Sequence, residues 1–543
     1  MKTRIILSLI ALLLLIANVA KAQQNEYSYE FQRGVQAYDE QNYDEAIRFF
    51  TKDLEENPSN CHSYVYLSLS YHATNDFNNA LIHINNAITK DKSGEKEYLA
   101  IVYDMKRQVC LDLADTASAI AAITNAIKLM PDDEDFLGSR AEIYYAQHKY
   151  ALADADLKRI IEINPNSTAA YAYRGYVARS EGRLDDALMF QTKVLSIDST
   201  DYYAYIDRAT VYIEMNQLEK AADDIFNSWL NGNMYLPANA NMWDEKTFEA
   251  IAAKFKAEFL KTPTKTEILR DLGMMYNKRE EHDLALECFL QLDATAPSDD
   301  FCYNISYTYY TQHKYNESLE YVDKAINLAG PRENALYHTQ RAQLYHVLRK
   351  HQEALNEWSK LLTLQSIWDD NHCYVYRQRA WEKVCIGDAR GAIDDYTIAL
   401  SLDATSVHSY LIRGDMYMKL GQKALAEADY KKVLEYETGG TMHWAAFALY
   451  ALGETQESID AIEAEIEANV TAAMIFNKSE DNFSYFIAAN FYSRIHDKEK
   501  ALINMQKALD LGFNDFYRID DNYYLDFIRD TPEFKALIAK YAN

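Results

Sequence analysis

A small residue returns along this chain at nearly fixed intervals: Ala46, Ala80, Ala119, Ala153, Ala187, Ala221, Ala285, Ser318, Ala354, Ala392, Ala426, Ser458 and Ala501. Many neighbours stand 34 residues apart, others 32 to 43, and the gap of 64 between Ala221 and Ala285 holds one degenerate copy. The apolar and polar positions repeat around each of these pivots. Before Ala153 come Ala141 at twelve, Tyr144 at nine and Tyr150 at three; after it come Leu157 at four, Ile160 at seven and Pro165 at twelve. The copies around Ala46 (Gly34, Ala37, Tyr43, Phe50), Ala285 (Gly273, Tyr276, His282, Phe289) and Ala426 (Gly414, Tyr417, Lys423, Tyr430) keep the frame. Such spacing lines one face of a helix, breaks, then lines one face of a second helix. The small residues at the pivot and twelve before it let the two helices approach closely, and proline stops the second one. A period in the thirties therefore predicts stacked helical hairpins, none able to bury its apolar face alone.

The motif small-x2-Tyr, aromatic-x2-Ala, Phe or Leu four later, Pro twelve later resembles the tetratricopeptide repeat family, and thirteen recognisable copies cover residues 27 to 512. The resemblance implies an all-α fold, an α-solenoid of about thirteen hairpins plus one degenerate repeat. It also implies a right-handed superhelix with a concave groove lined by the first helix of each pair.

The frame divides the chain into an N-terminal block of repeats at 27–235, a degenerate repeat at 236–265, a C-terminal block at 266–512 and a closing segment at 513–543. In the degenerate copy the run from Asn231 to Asn239 reads as loop, while Thr247 to Leu260 reads as a surviving second helix. That loop is either a decayed repeat or a projection that touches a partner. In the closing segment Pro532 marks a helix start, and Phe534, Leu537, Ile538 and Tyr541 form an apolar stripe. A terminal repeat exposes a raw hydrophobic face, so this helix is expected to cap the array.

Residues 1–22 read as a secretory signal. Lys2 and Arg4 precede an apolar stretch from Ile5 to Ile16, and Ala20-Lys21-Ala22 suits cleavage. The stretch is short for a membrane span, which makes an uncleaved anchor the lesser alternative. Export to the periplasm, cell envelope or medium follows, with no integral membrane insertion after cleavage.

The chain has 543 residues, too many for a single core but not for a solenoid. Its 16 Gly and 8 Pro leave no room for long flexible linkers. The formal net charge is −27; loss of residues 1–22 leaves 52 basic against 82 acidic residues, a net −30. Such a surface repels phosphate backbones, so nucleic acid is not an expected partner, whereas a cationic or neutral protein or peptide is. The six cysteines form no C-x2-C pair and no zinc spacing with histidine, although an exported protein could oxidise some of them.

Catalytic patterns are missing: no phosphate-binding glycine loop, no G-x-S-x-G and no H-E-x2-H occurs. The expectation is a chain that is not an enzyme and carries no cofactor or metal. If first helices line a groove, residues fifteen, eleven and eight before each pivot face it. The rule selects Tyr303, Tyr307 and Tyr310, then Thr339, Gln343 and His346, then Arg377 and Trp381, then Asp415 and Met418, then His443, Phe447 and Tyr450. In the N-terminal block it selects Tyr176. Aromatic rings beside arginine are what peptide-binding surfaces use as anchors. The competing reading has the same rings buried against the next repeat. Family members that clamp a C-terminal carboxylate carry a Lys and Asn set on first helices; Val65 and Leu69, or Thr339 and Gln343, stand here instead. The leading expectation is an exported, non-catalytic scaffold that binds a protein or extended peptide in the groove. A glycan-binding accessory protein, similar to exported starch-binding proteins built on such helices, is the alternative.

Overall fold

A computed structural model describes residues 27–330, 334–364, 372–437, 443–476, 481–514, 516, 519 and 522–541. The segment 1–22, expected to be a secretory signal, lies outside the described residues. The described chain is helical and contains no strand. It divides after Lys261 into two units.

The first unit holds six hairpins: α1 (Tyr29–Asp39) with α2 (Tyr43–Glu56), α3 (Cys61–Ala73) with α4 (Phe77–Lys90), and α5 (Lys96–Asp112) with α6 (Thr116–Leu129). There follow α7 (Glu134–Ala146) with α8 (Tyr150–Ile163), α9 (Thr168–Ser180) with α10 (Leu184–Ile197), and α11 (Tyr202–Glu214) with α12 (Leu218–Leu230). A 3-10 turn at Pro237–Met242 and a single helix, α13 (Glu245–Lys261), end the unit. Here the first helix of the degenerate copy is gone and the second remains.

The second unit begins with α14 (Thr266–Lys278) and α15 (His282–Thr295), α16 (Asp299–Thr311) and α17 (Tyr315–Ala329), α18 (Ala335–Val347) and α19 (His351–Leu361). It continues with α20 (His372–Cys385) and α21 (Ala389–Leu402), α22 (Val407–Lys419) and α23 (Lys423–Tyr436). The last pairs are α24 (His443–Leu452) with α25 (Thr455–Phe476) and α26 (Asn482–Arg494) with α27 (Lys498–Asp510). A 3-10 turn (Tyr523–Leu525), α28 (Asp526–Arg529) and α29 (Pro532–Tyr541) close the chain.

Two local rules make each hairpin. The first is close approach. The pivots Ala46, Ala80, Ala119, Ala153, Ala187, Ala221, Ala285, Ala354, Ala392, Ala426 and Ala501 are fully buried. Twelve residues upstream, Ser68 Oγ donates to the Ala80 carbonyl at 2.8 Å and Ser306 Oγ to that of Ser318 at 2.7 Å. Where glycine stands there, the nearest group is the side chain four residues after the pivot. A Cβ on Gly273 would lie 2.7 Å from the Phe289 ring, and one on Gly414 2.7 Å from the Tyr430 ring.

The second rule is the turn. In all thirteen hairpins the residue five before the pivot has a left-handed φ. It is glycine four times (Gly182, Gly387, Gly421, Gly453) and another residue nine times, Ala114 (φ 58°) and Arg349 (φ 57°) among them. Around Ala114 the amide of Asp115 donates to the Cys110 carbonyl at 2.8 Å and that of Ala114 to Leu111 at 2.9 Å. This Schellman arrangement satisfies the last carbonyls of the first helix. The next residue then caps the second helix, as Asp115 does through Ser118.

Cys110, Cys288 and Cys302 are buried, and Cys61, Cys373 and Cys385 are half-buried. Phe534 is buried, and Leu537, Ile538 and Tyr541 pack against the core that runs from Ala380 to Phe534.

Candidate binding surface

First helices of the second unit carry the residues selected by spacing, and the structure separates them into three groups. Tyr307 is open, with 47% of its surface exposed. Beside it Tyr303 is half-buried, with its ring 5.1 Å from that of Tyr337, and Tyr310 meets Tyr315 edge-on at 5.6 Å. Burial pushes the Tyr303 phenol up from its ordinary value, followed by the neighbouring Tyr307 and Asp300. On α18 the Gln343 amide donates to the Tyr374 hydroxyl at 3.2 Å. On α20 Arg377 is half-buried.

Trp381 belongs to a second group. Its ring lies 6.2 Å from His408 and 6.1 Å from Tyr523, against the core.

Asp415 and Phe447 form the third group, and they line no open groove. The closing segment folds over them. Arg494 donates to Asp415 Oδ1 at 2.8 Å and to Oδ2 at 3.0 Å. The hydroxyls of Tyr430, Tyr523 and Tyr524 donate to the same carboxylate at 2.8, 2.7 and 2.8 Å. Burial alone would raise the Asp415 carboxyl, but the Arg494 charge and these hydrogen bonds hold it below the usual carboxylate range. Phe447 is fully buried, 4.8 Å from the Tyr524 ring and 5.5 Å from Phe491, with the Arg494 guanidinium 5.7 Å from its centroid. The physical reason is positional: near the end of the array the inner face is closed by the chain itself. The His443 side chain lies outside the described residues.

In the first unit the Tyr176 hydroxyl donates to Asp207 Oδ2 at 2.6 Å. Burial pushes the Asp207 carboxyl up to about 6, against the lowering effect of that hydrogen bond.

Hydrophobic spacing gave no sign of a recurring ion pair. Arginine thirteen before the pivot meets aspartate three after it in a two-pronged contact: Arg140–Asp156, Arg208–Asp224, Arg379–Asp395 and Arg413–Asp429, each between 2.6 and 2.8 Å. The third guanidinium nitrogen reaches back to the preceding hairpin, to Thr124 at 3.2 Å, Thr192 at 3.3 Å and Thr397 at 3.0 Å. Where phenylalanine replaces the aspartate, the arginine stacks on it instead, as in Arg174 over Phe190 at 4.3 Å and Arg33 over Phe49 at 5.3 Å. These positions hold neighbouring hairpins together. Among the described residues no helix is long and apolar enough to cross a membrane.

Paired helices, close-packed small pivots and a left-handed turn in every pair define an α-helical hairpin-repeat protein. Tetratricopeptide repeat models match residues 139–202, 299–330 and 407–438, so the chain carries tetratricopeptide repeats. It is similar to TPR repeat-containing protein MJ1428 of Methanocaldococcus jannaschii, 21% identical over 403 residues, 72% of this chain and 60% of that one. It is also similar to human tetratricopeptide repeat protein 13, 26% identical over 174 residues, 31% of this chain and 20% of that one. The chain thus spans a fifth to three fifths of these relatives' own lengths. Among solved structures, Naa15/Naa10 bound to HypK-THB is 13% identical, covers 94% of this chain and 99% of its own, and has a TM-score of 0.32. Tetratricopeptide repeats point to protein–protein interaction, and proteins built of them are generally non-catalytic scaffolds.

Proposed function

We propose that this chain is an exported, non-catalytic scaffold that holds an extended segment of a partner protein along the first-helix face of its second unit, over α16, α18 and α20. The observation that carries this reading is the exposed Tyr307 ring, set beside the half-buried Tyr303 and Tyr310 and followed on successive first helices by Gln343 and Arg377. A rigid aromatic anchor flanked by amide and guanidinium donors suits a backbone in extended form. The acidic surface favours a neutral or basic segment. Export rests on the pattern of residues 1–22.

A photo-crosslinking side chain at position 307, 343 or 377, introduced in the native host, tests the site. Discrete protein adducts are expected there and not at Ile398, an exposed residue on the second helix α21. Equal labelling at 307 and 398, or none at either, would end the proposal. N-terminal sequencing of the mature protein tests export, with a start after Ala22 expected; a retained Met1 in a cytosolic fraction contradicts it. The protein reading is favoured over the glycan one because Trp381, the ring a glycan site would use, packs with part of its surface against His408 and Tyr523.

A further inference from the structure

Two histidines meet at the turn of one hairpin and of no other. At the positions eight and three before the pivot, several hairpins place a pair of packed rings, such as Tyr38–Tyr43 at 5.5 Å, Tyr145–Tyr150 at 5.8 Å and Tyr310–Tyr315 at 5.6 Å. Before Ala354 both positions are histidine: His346 in the last turn of α18 and His351 at the start of α19, with rings 5.7 Å apart. Between them the turn is fixed by the left-handed Arg349, with the Arg349 amide on the His346 carbonyl at 2.9 Å and the Lys350 amide on that of Tyr345 at 2.8 Å. The backbone that carries the two imidazoles is therefore fixed by the turn.

The next hairpin is unusual as well. Ten before the pivot, nine of the other twelve hairpins bury an apolar residue, Val109, Ile143, Val177, Val211, Leu344 and Met416 among them. On α20 that position is Glu382, 1% exposed. A buried carboxylate is costly unless its charge is met. Here its two oxygens face the two imidazoles, Oε1 at 2.9 Å from His346 Nδ1 and Oε2 at 2.9 Å from His351 Nδ1. One donor atom from each of the three side chains lies within 4.8 Å of the others.

We propose that His346, His351 and Glu382 bind a divalent transition-metal ion of the zinc class across the junction between the α18–α19 hairpin and α20. Two imidazole nitrogens and one carboxylate oxygen are a ligand set for Zn2+, with water in the fourth position. Tetrahedral ligands around zinc sit about 3.3 Å apart, so the present arrangement needs only small side-chain shifts to accept an ion. Both histidines keep part of their surface open, with 27% and 19% of the side chains exposed, which gives ion and water a way in. Bound metal would tie the turn of one hairpin to the first helix of the next.

The test uses the full chain, freed of affinity tag and stripped with chelator, titrated with Zn2+ alone against a chromophoric competitor, and separately with Co2+. About one tightly held Zn2+ per chain is expected, with the visible bands of four-coordinate Co2+. His351→Gln should weaken binding at least about tenfold, the loss that even an outer-shell partner brings. Glu382→Met restores the apolar residue that Met416 supplies in the next repeat, so it should fold, as circular dichroism checks, and still lose the ion. No uptake by the wild-type chain in excess Zn2+, which would leave only a hydrogen-bonded trio, overturns the proposal. So does uptake that is unchanged in both variants.

Discussion

Ala114 occupies a backbone conformation that costs an L-residue about 1–2 kcal/mol. Its side chain is exposed, so it gains little from packing in return. Ala114→Gly should raise the stability of the α5–α6 hairpin by about 0.5–1 kcal/mol, the relief being partly offset by a freer unfolded chain. Hydrogen exchange in residues 96–129 reads this directly, and slower protection loss than wild type is the expected result. Asp207 is a different kind of local cost. Its carboxyl titrates at about 6 in the fold, against 3.8 as its ordinary value. With both states protonated at low pH there is no penalty. As pH rises between those values the unfolded chain ionises first, so folding stability falls and the loss is complete above the folded value. Asp207→Asn keeps an acceptor for the Tyr176 hydroxyl and removes the charge. It should gain about 1–3 kcal/mol at pH 7 and much less at pH 4.5. Chemical denaturation at the two pH values decides, and an equal gain at both would contradict this origin of the cost.

At the scale of one hairpin, arginine and aspartate sixteen residues apart join first helix to second, and the same guanidinium touches the hairpin before. Asp429 keeps only 7% of its side chain exposed and Arg413 14%. Asp429→Ala leaves that guanidinium enclosed without its partner and should cost about 2–4 kcal/mol, seen as faster exchange in α22 and α23. Arg413→Met with Asp429→Leu should recover most of it, since an apolar pair of similar volume replaces the ions without desolvation cost. The hairpins themselves were legible in the sequence because each depends on residues within one period: the pivot, the small residue before it, the turn. The arginine–aspartate pair was equally legible, at a fixed offset of sixteen, but it is a polar signal and hydrophobic spacing does not register it. Asp415 and Phe447 were not legible as buried. The spacing that left Tyr307 exposed places them on the same face of their helices, and what covers them lies up to 109 residues further along the chain. No periodic pattern records such a contact. The His346, His351 and Glu382 group becomes visible only when corresponding positions of all hairpins are set side by side.

At the scale of the whole array, a hairpin stack distributes stability between neighbours, so its ends open first unless something seals them. At the C-terminal end the seal is electrostatic as much as apolar. Asp415 gathers the Arg494 guanidinium and three phenols, two of them from the closing segment, while Phe534 and the rest of α29 cover the last hairpin. Asp415→Asn retains the shape but leaves the buried Arg494 charge unanswered, at a cost of about 3–5 kcal/mol. Because contacts are local, this loss should fall on residues 482–541 and leave residues 29–230 with wild-type exchange. Acid should do the same thing as the substitution. The Asp415 carboxyl titrates below its ordinary value in the fold, so its contribution is complete above about pH 4 and disappears as pH falls through the lower folded value. Exchange measured along a descending pH series should therefore show residues 482–541 opening before the first unit, with the Asp415→Asn variant already open and insensitive to acid there. Simultaneous opening of both units would mean that the carboxylate is incidental and that apolar packing alone closes the end of the array.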